Sequence, residues 1–190
     1  MRGMLVTAHY EKRVEQLTDL ASRFADALSR AGIEYRIVGG LAVYIHVNAI
    51  DPLAARLTRD IDAVVRRTDI EKIAEAVKPV GLEFRHVAGV DMLVDSARPK
   101  ARSAVHLIFV NEKVRSEYIE PVPAFSPTVP VDGLVVAPVA DLVKMKLTSF
   151  RDKDRVHVRD MDGVGLITPD IEAGLPEPLR HRLAQVRASE

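Results

Sequence analysis

A short apolar strand signal, Tyr35-Arg36-Ile37-Val38, breaks at Gly39-Gly40 and resumes as Leu41-Ala42-Val43-Tyr44-Ile45-His46-Val47. A polar stretch with Pro52 then leads to Asp60-Ile61-Asp62, which opens a second apolar strand ending at Val65. This order, strand, Gly-Gly, helix, then Asp-x-Asp on a strand, constrains the chain more than any other part of it. Side chains alternate across a strand, so Asp60 and Asp62 are expected on one face with Ile61 on the other. Two carboxylates on one face repel unless a cation sits between them, and hard oxygen ligands of this kind suit Mg²⁺. Glycines between a strand and a helix let phosphates approach the backbone amides, where the helix N-terminus favours negative charge. Arg56, Thr58 and Arg59, just before the carboxylates, could add donors. Taken singly, Gly-Gly is most often a turn and Asp-x-Asp a solvated strand end. A dinucleotide-binding fingerprint fits poorly, because no third glycine follows at the required offset.

The rest of the chain reads as a mixture of helices and strands. Val14, Leu17, Leu20, Phe24 and Leu28 recur at three- and four-residue spacing, the pattern of an amphipathic helix that Gly32 ends. Thr68 and Glu71 have capping-box spacing, which predicts a helix over residues 69–77 stopped by Gly81. Residues 82–87, 92–94 and 104–110 read as strands, with a turn at 97–100. Five prolines between Pro121 and Pro138 mark an extended connection. Pro138 opens a helix to about Phe150; another follows over 154–161, and residues 176–186 suit a last one. The expected fold is α+β: a mixed sheet with helices packed on one side and a C-terminal helical part. The expected division is a core of residues 1–137 and a helical region of 138–190.

Composition excludes some classes of function. Basic and acidic residues both number 27, so bulk charge does not suit nucleic-acid binding, although a local basic patch remains open. With no cysteine, disulfides and thiolate metal sites are excluded. The first residues, MRGMLVTAHYEKR, hold too short an apolar stretch for a signal peptide, and no run reaches the roughly 18 apolar residues of a membrane helix. A cytoplasmic protein is expected, without a membrane partner.

IVGGLAVYIHV followed by RLTRDIDAVV resembles the signature of the DNA polymerase β-like nucleotidyltransferase superfamily. The nearest branches are the minimal nucleotidyltransferases and the nucleotidyltransferase-like toxins of abortive-infection systems. DLVKMKLTSFRDKDRVHVRDMD is similar to the later motif of those proteins, Lys, then Arg-x-Lys-Asp, then Asp. The resemblance spans roughly residues 10 to 165 and rests on these two windows. It implies that Gly39 and Gly40 contact a nucleotide's phosphates, where position alone adds Thr58 as a donor, and that Asp60 and Asp62 hold metal. It places Lys146, Arg151 and Lys153 near the triphosphate. Lys144 and Lys146 are two apart on a helix and face different ways, which favours Lys146 alone. Arg151 to Asp154 could equally be a charged turn with local ion pairs, and Lys113 and Arg115 are further candidates that read more readily as solvated loop charges.

The family normally supplies a third carboxylate from a neighbouring strand, and Ala104-Val105-His106-Leu107-Ile108-Phe109 offers His106 there. Imidazole is a weaker partner for Mg²⁺ than for transition metals, and with an unperturbed pKa near 6.5 it could act as a general base instead. Asp91 and Asp95 share a face of the preceding segment but come early in the order. Three readings follow. The first is a Mg²⁺-dependent nucleotidyltransferase, one or two metals at Asp60 and Asp62, moving a nucleoside monophosphate from an NTP to a hydroxyl of a tRNA, protein or small molecule. The second is a non-catalytic nucleotide-binding protein of the same fold, possibly one component of a toxin–antitoxin pair with a cognate antitoxin. The third is an α/β domain whose glycines and aspartates are structural.

Overall fold

A computed structural model describes residues 2–58, 60–97 and 104–189, with side chains described from Glu15 onward. Arg59, and residues 98–100 of the expected 97–100 turn, lie outside the described residues, as does the side chain of Val14.

Five strands form one mixed sheet in the order β1-β2-β5-β4-β3. These are β1 (Arg36–Val38), β2 (Ile61–Val65), β3 (Leu82–Val87), β4 (Val90–Asp95) and β5 (Ala104–Phe109). β2 and β5 run parallel, and the other neighbouring pairs are antiparallel. The parallel pair lies inside the sheet, so β2 and β5 are largely apolar on both sides, with Asp62 and His106 side by side as the polar exception on one face.

Seven helices surround the sheet among the described residues: α1 (Arg2–Arg30), α2 (Gly39–Ile50), α3 (Ile70–Val77), α4 (Val139–Ser149), α5 (Asp152–Gly163), α6 (Pro169–Ala173) and α7 (Glu177–Ala188). The three- and four-residue stripe of α1 is its buried side: Leu17, Leu20, Phe24 and Leu28 all enter the core, and Phe24 meets Tyr35 edge-to-face at 5.2 Å. α1 packs on α3 and β5, over the face that carries Ile61, Ala63, Leu93, Val105 and Leu107. Its Arg23 reaches Asp95 on that same face at 2.6 Å. α2 lies along β1 and β2 and joins them to the cluster of α4, α5 and α7. The α+β fold with a mixed sheet agrees with the sequence expectation.

Several details differ from it. α2 begins at Gly39 itself, so the two glycines form its first turn rather than a loop ahead of it. β2 begins at Ile61, leaving Asp60 one residue short of the strand, where alternation no longer fixes its direction. Thr68 and Glu71 form no capping box. The chain leaves β2 through a 3-10 turn, Arg67–Asp69, and Asp69 precedes α3 without a side-chain cap. Arg67 fixes that turn by stacking on Phe109 at 3.7 Å and pairing with Glu112 at 2.8 and 2.6 Å. α6 was not expected; Thr168 caps it by accepting from the Ile171 amide.

The proline-rich connection is extended but not loose. The Ile37 amide donates to Val135 and the Ala137 amide to Ile37, so this segment covers the outer edge of β1. Arg36 and Arg66 both pack on the ring of Phe125, at 4.9 and 4.8 Å.

Candidate functional site

Gly39 and Asp62 are in contact. Val38 pairs with Asp62 across β1 and β2, so the first residue of α2 rests on the Asp62 side chain. Gly39 has φ +71°, and a Cβ there would lie 2.0 Å from Asp62 Oδ2. Glycine is required twice over, by the left-handed backbone and by the carboxylate. Val38 provides no side-chain cap, so α2 presents its first amides beside that carboxylate. A Cβ on Gly40 would lie 2.6 Å from Thr58 Oγ1 and 3.5 Å from His157.

His106 sits beside Asp62 in the parallel register of β2 and β5, with Nδ1 3.5 Å from Oδ1. At that distance the interaction is more Coulombic than a hydrogen bond. Contact with Asp62 raises the imidazole pKa against the opposing effect of burial; the Asp62 and Asp60 charges add to the rise and Lys153 opposes it. The neighbouring-strand position that the resemblance assigns to a third acid is thus filled by a base that favours its proton. Asp91 and Asp95 project to the opposite, helix-covered face. Asp91 takes His86 Nδ1 at 2.6 Å and Asp95 takes Arg23.

α4 and α5 supply the cations. Phe150, in the left-handed region at φ +51°, ends α4 and turns the chain sharply into α5. That corner gathers three side chains and a backbone amide around Asp154, which is fully buried. Its carboxylate accepts from Lys146 Nζ at 3.2 Å, Ser149 Oγ at 2.8 Å, and the Arg151 backbone amide and Nε at 3.3 and 2.6 Å. Burial alone would raise the Asp154 pKa; the Arg151 hydrogen bond, the Lys146 charge and the Ser149 hydroxyl bring it down to about 2. Lys146 is pulled below the usual lysine range by burial, while the charges of Asp154 and Asp62 support its cationic form. Neighbouring His157 is held down to about 4, first by burial and then by the Lys146 charge.

A cleft of about 590 Å³ opens between these parts. Gly39, Asp62, Lys146 and Arg151 line it together. Asp60, His106, Gly40, Thr58 and Lys153 are not in its lining: His106 stands behind Asp62 on β5, Gly40 is buried against Thr58, whose hydroxyl meets the Asp60 amide at 3.4 Å, and Lys153 is exposed on α5. Arg56 turns away to pair with Asp160 at 3.0 Å. Lys144 pairs with Glu120 at 3.2 Å, whereas Lys146 faces the cleft, as the two-residue offset implies. The turn of Arg151 to Asp154 holds local ion pairs and also aims Arg151 at the cleft, so both readings of it apply. Lys113 and Arg115 line the cleft as well. Asp154 as the hub of the cations, and Tyr118 and Ser149 in the wall, were not singled out from sequence. The one available signal was an acidic residue in the first turn of the second motif's helix.

No protein-family model matches the sequence, and no curated protein matches it. Solved structures do. The chain is similar to the solution structure of the antibiotic-resistance factor ANT(2'')-Ia, with a TM-score of 0.56 at 11% identity, over 93% of this chain and 94% of that one. The crystal structure of ANT(2'')-Ia with adenylyl-2''-tobramycin gives 0.53 at 13% identity, over 92% and 98%. An antigenic nucleotidyltransferase-like protein from Paracoccidioides brasiliensis gives 0.56 at 16% identity, over 93% and 89%. The chain therefore has the nucleotidyltransferase fold along nearly its whole length.

Proposed function

We propose that this chain is a Mg²⁺-dependent nucleotidyltransferase that moves a nucleoside monophosphate from an NTP to an acceptor hydroxyl. The observation that carries the reading is the contact between Gly39 and Asp62. It puts the amide end of a helix, suited to phosphate, against a carboxylate suited to a cation, in a cleft that also holds Lys146 and Arg151.

The residues present fit one Mg²⁺ more readily than two. Mg²⁺ is commonly held by one or two carboxylates together with substrate phosphates; Asp62, in the cleft, would provide the first carboxylate, and Asp60, just before the strand, would be the second. Among the described residues no group of three or more acids and histidines is arranged to hold a metal. His106 does not replace a third carboxylate in that role. Bound there, the ion would neutralise phosphate charge and polarise the phosphorus under attack. The α2 amides would hold non-bridging oxygens, and Lys146 and Arg151 would take up the charge of departing pyrophosphate. Asp154 keeps both cations in place. His106 is suited to orient Asp62 or to receive the acceptor proton.

Incubating the protein with labelled NTPs and Mg²⁺ should release pyrophosphate and label an acceptor. Asp62→Ala should lower that rate at least about 100-fold, the scale of losing a main electrostatic contact in the transition state. Equal turnover by Asp62→Ala would remove Asp62 from the site. The second reading, nucleotide binding without turnover, is favoured by one observation: His106 stands beside Asp62 where an acid is expected. Mg²⁺-dependent NTP binding with no pyrophosphate release from any acceptor would select it. A place in a toxin–antitoxin pair, with a cognate antitoxin as partner, rests on the two sequence windows alone. No helix among the described residues is long and apolar enough to cross a membrane.

A further inference from the structure

Residues 111–122, between β5 and the proline-rich connection, have no regular structure, yet they form a closed loop. The Asn111 amide donates to Val122 and the Val122 amide to Glu112, both at 2.9 Å, which ties the two ends together. Arg67 braces the neck from outside through its two bonds to Glu112 and its stacking on Phe109. Inside the loop the Tyr118 amide donates to Arg115 at 3.0 Å. Compact loops with joined ends and a rigid base commonly carry function.

This loop forms one wall of the cleft, with Lys113, Val114, Arg115 and Tyr118 all lining it. Tyr118 lies close to Arg151 and both line the cleft, so the loop reaches the end of the cleft where Arg151 sits. Of the carboxylates near this wall, Glu112 is held by Arg67, Asp91 by His86 and Glu120 by Lys144, while exposed Glu117 accepts from the Ser116 hydroxyl. Lys113 makes no ion pair with the described residues, and Arg115 has only a 3.8 Å approach to Glu117, both side chains being well exposed. The cleft therefore has two kinds of cation. Lys146 and Arg151 are fixed by buried Asp154 beside Asp62, while Lys113 and Arg115 are exposed on the opposite wall.

We propose that Lys113 and Arg115 form an acceptor subsite that binds phosphate, so that the hydroxyl substrate is itself a phosphate-bearing molecule rather than a polyamine. The inference rests on the nucleotidyl-transfer reading, in which Lys146 and Arg151 serve the NTP. A polycationic acceptor such as tobramycin would meet Lys113 and Arg115 on this wall, with exposed Glu117 the one loop carboxylate beside them. A phosphate group would gain two charge-assisted contacts that the NTP leaves unused. Exposed Val90 and Val114, which also line the cleft, would cover the uncharged part of the acceptor.

The test uses the full chain saturated with Mg²⁺ and a non-hydrolysable ATP analogue, titrated by calorimetry with three probes: a single-stranded RNA hexamer, glucose 6-phosphate and tobramycin. At least one phosphate probe should bind and tobramycin should not; which one binds tells a nucleic-acid acceptor from a small phosphate ester. The double variant K113A/R115A, on an exposed loop, should weaken that probe at least about tenfold and leave affinity for the ATP analogue within about twofold. For the RNA hexamer, the slope of log K against log salt should fall by roughly 1.4, at about 0.7 per lost contact on a single strand. Binding of tobramycin alone, binding of none of the probes, or equal loss of the ATP analogue in K113A/R115A would each overturn the proposal. In all three cases the nucleotide site itself stands. If the wild-type chain fails to bind the ATP analogue, the nucleotidyl-transfer reading fails, and the acceptor subsite with it.

Discussion

Replacing Gly39 with alanine tests the contact on which the site is built. Two costs add. The backbone at φ +71° suits glycine, and an L-residue in that region costs about 1–2 kcal/mol. The new Cβ would also fall 2.0 Å from Asp62 Oδ2 and 2.9 Å from Cγ, so the carboxylate must swing away. Forcing extra volume into a packed position costs about 1–3 kcal/mol. Gly39→Ala should therefore lose about 2–5 kcal/mol in urea or guanidinium denaturation. In an Asp62→Ala background the Oδ2 and Cγ contacts vanish, leaving the backbone cost of about 1–2 kcal/mol and the milder 3.0 Å approach to Cβ. The double-mutant cycle should thus show a coupling of about 1–3 kcal/mol between positions 39 and 62. Calorimetry with an NTP and Mg²⁺ should show weaker binding for Gly39→Ala even at temperatures where it is fully folded, because the displaced carboxylate no longer sits beside the helix amides. The same cost for Gly39→Ala in both backgrounds would refute the reasoning, since the carboxylate would then play no part in it.

Other outcomes follow from the buried polar groups and the core. Asp154→Ala leaves Lys146 buried without its anion and should cost about 3–5 kcal/mol, measured by denaturant unfolding at pH 7. Because the folded pKa of Asp154 is about 2, below its unfolded value, its carboxylate contributes stability that is complete above about pH 4 and lost as pH falls toward 2. The wild type should lose about 2 kcal/mol across that window that Asp154→Ala does not lose. His157, with a folded pKa of about 4 against 6.5 unfolded, works in a higher window: the unfolded chain takes up the proton first, so stability falls as pH drops from about 6.5 to 4. His157→Gln should flatten that segment of the stability curve by up to about 3 kcal/mol. An unchanged slope would mean that the imidazole accepts its proton freely in the folded state. Phe24→Ala, at a fully buried position of the α1 stripe, should cost about 3–5 kcal/mol with no change in NTP affinity once the protein is folded.

The parts of the fold that were legible in the sequence are those whose cause is local. The apolar spacing from Leu17 to Leu28, the start of α4 after Pro138 and the strand signals at residues 82–87 and 104–109 each reflect one element burying one face, and each is present. Gly39-Gly40 was legible as a place for close approach. What approaches it was not, because the Asp62 carboxylate arrives through the antiparallel register of β1 and β2. The Thr68–Glu71 spacing located the helix, present as Ile70–Val77, but not its cap, since Arg67 fixes the local backbone through partners on β5 and beyond, Phe109 and Glu112. Asp154 stands in the sequence among Asp152, Lys153 and Arg155 with nothing to mark it as the one that turns inward. Its burial depends on the corner at Phe150 and on packing with Lys146. The loop of residues 111–122 has no periodicity to read, and its place over the cleft depends on two backbone bonds at its neck.

The strap of Val135 to Ala137 along β1 also bears on how the molecule keeps to itself. A sheet has two outer strands, and each is an invitation for a stranger's backbone to join. On one side that invitation is already taken up by the chain's own connection. On the other, β3 meets solvent with Glu83, Arg85 and His86 exposed, and an incoming strand would have to strip water from all three. The sheet is thus closed to uncontrolled growth at both margins, by occupation at one and by charge at the other.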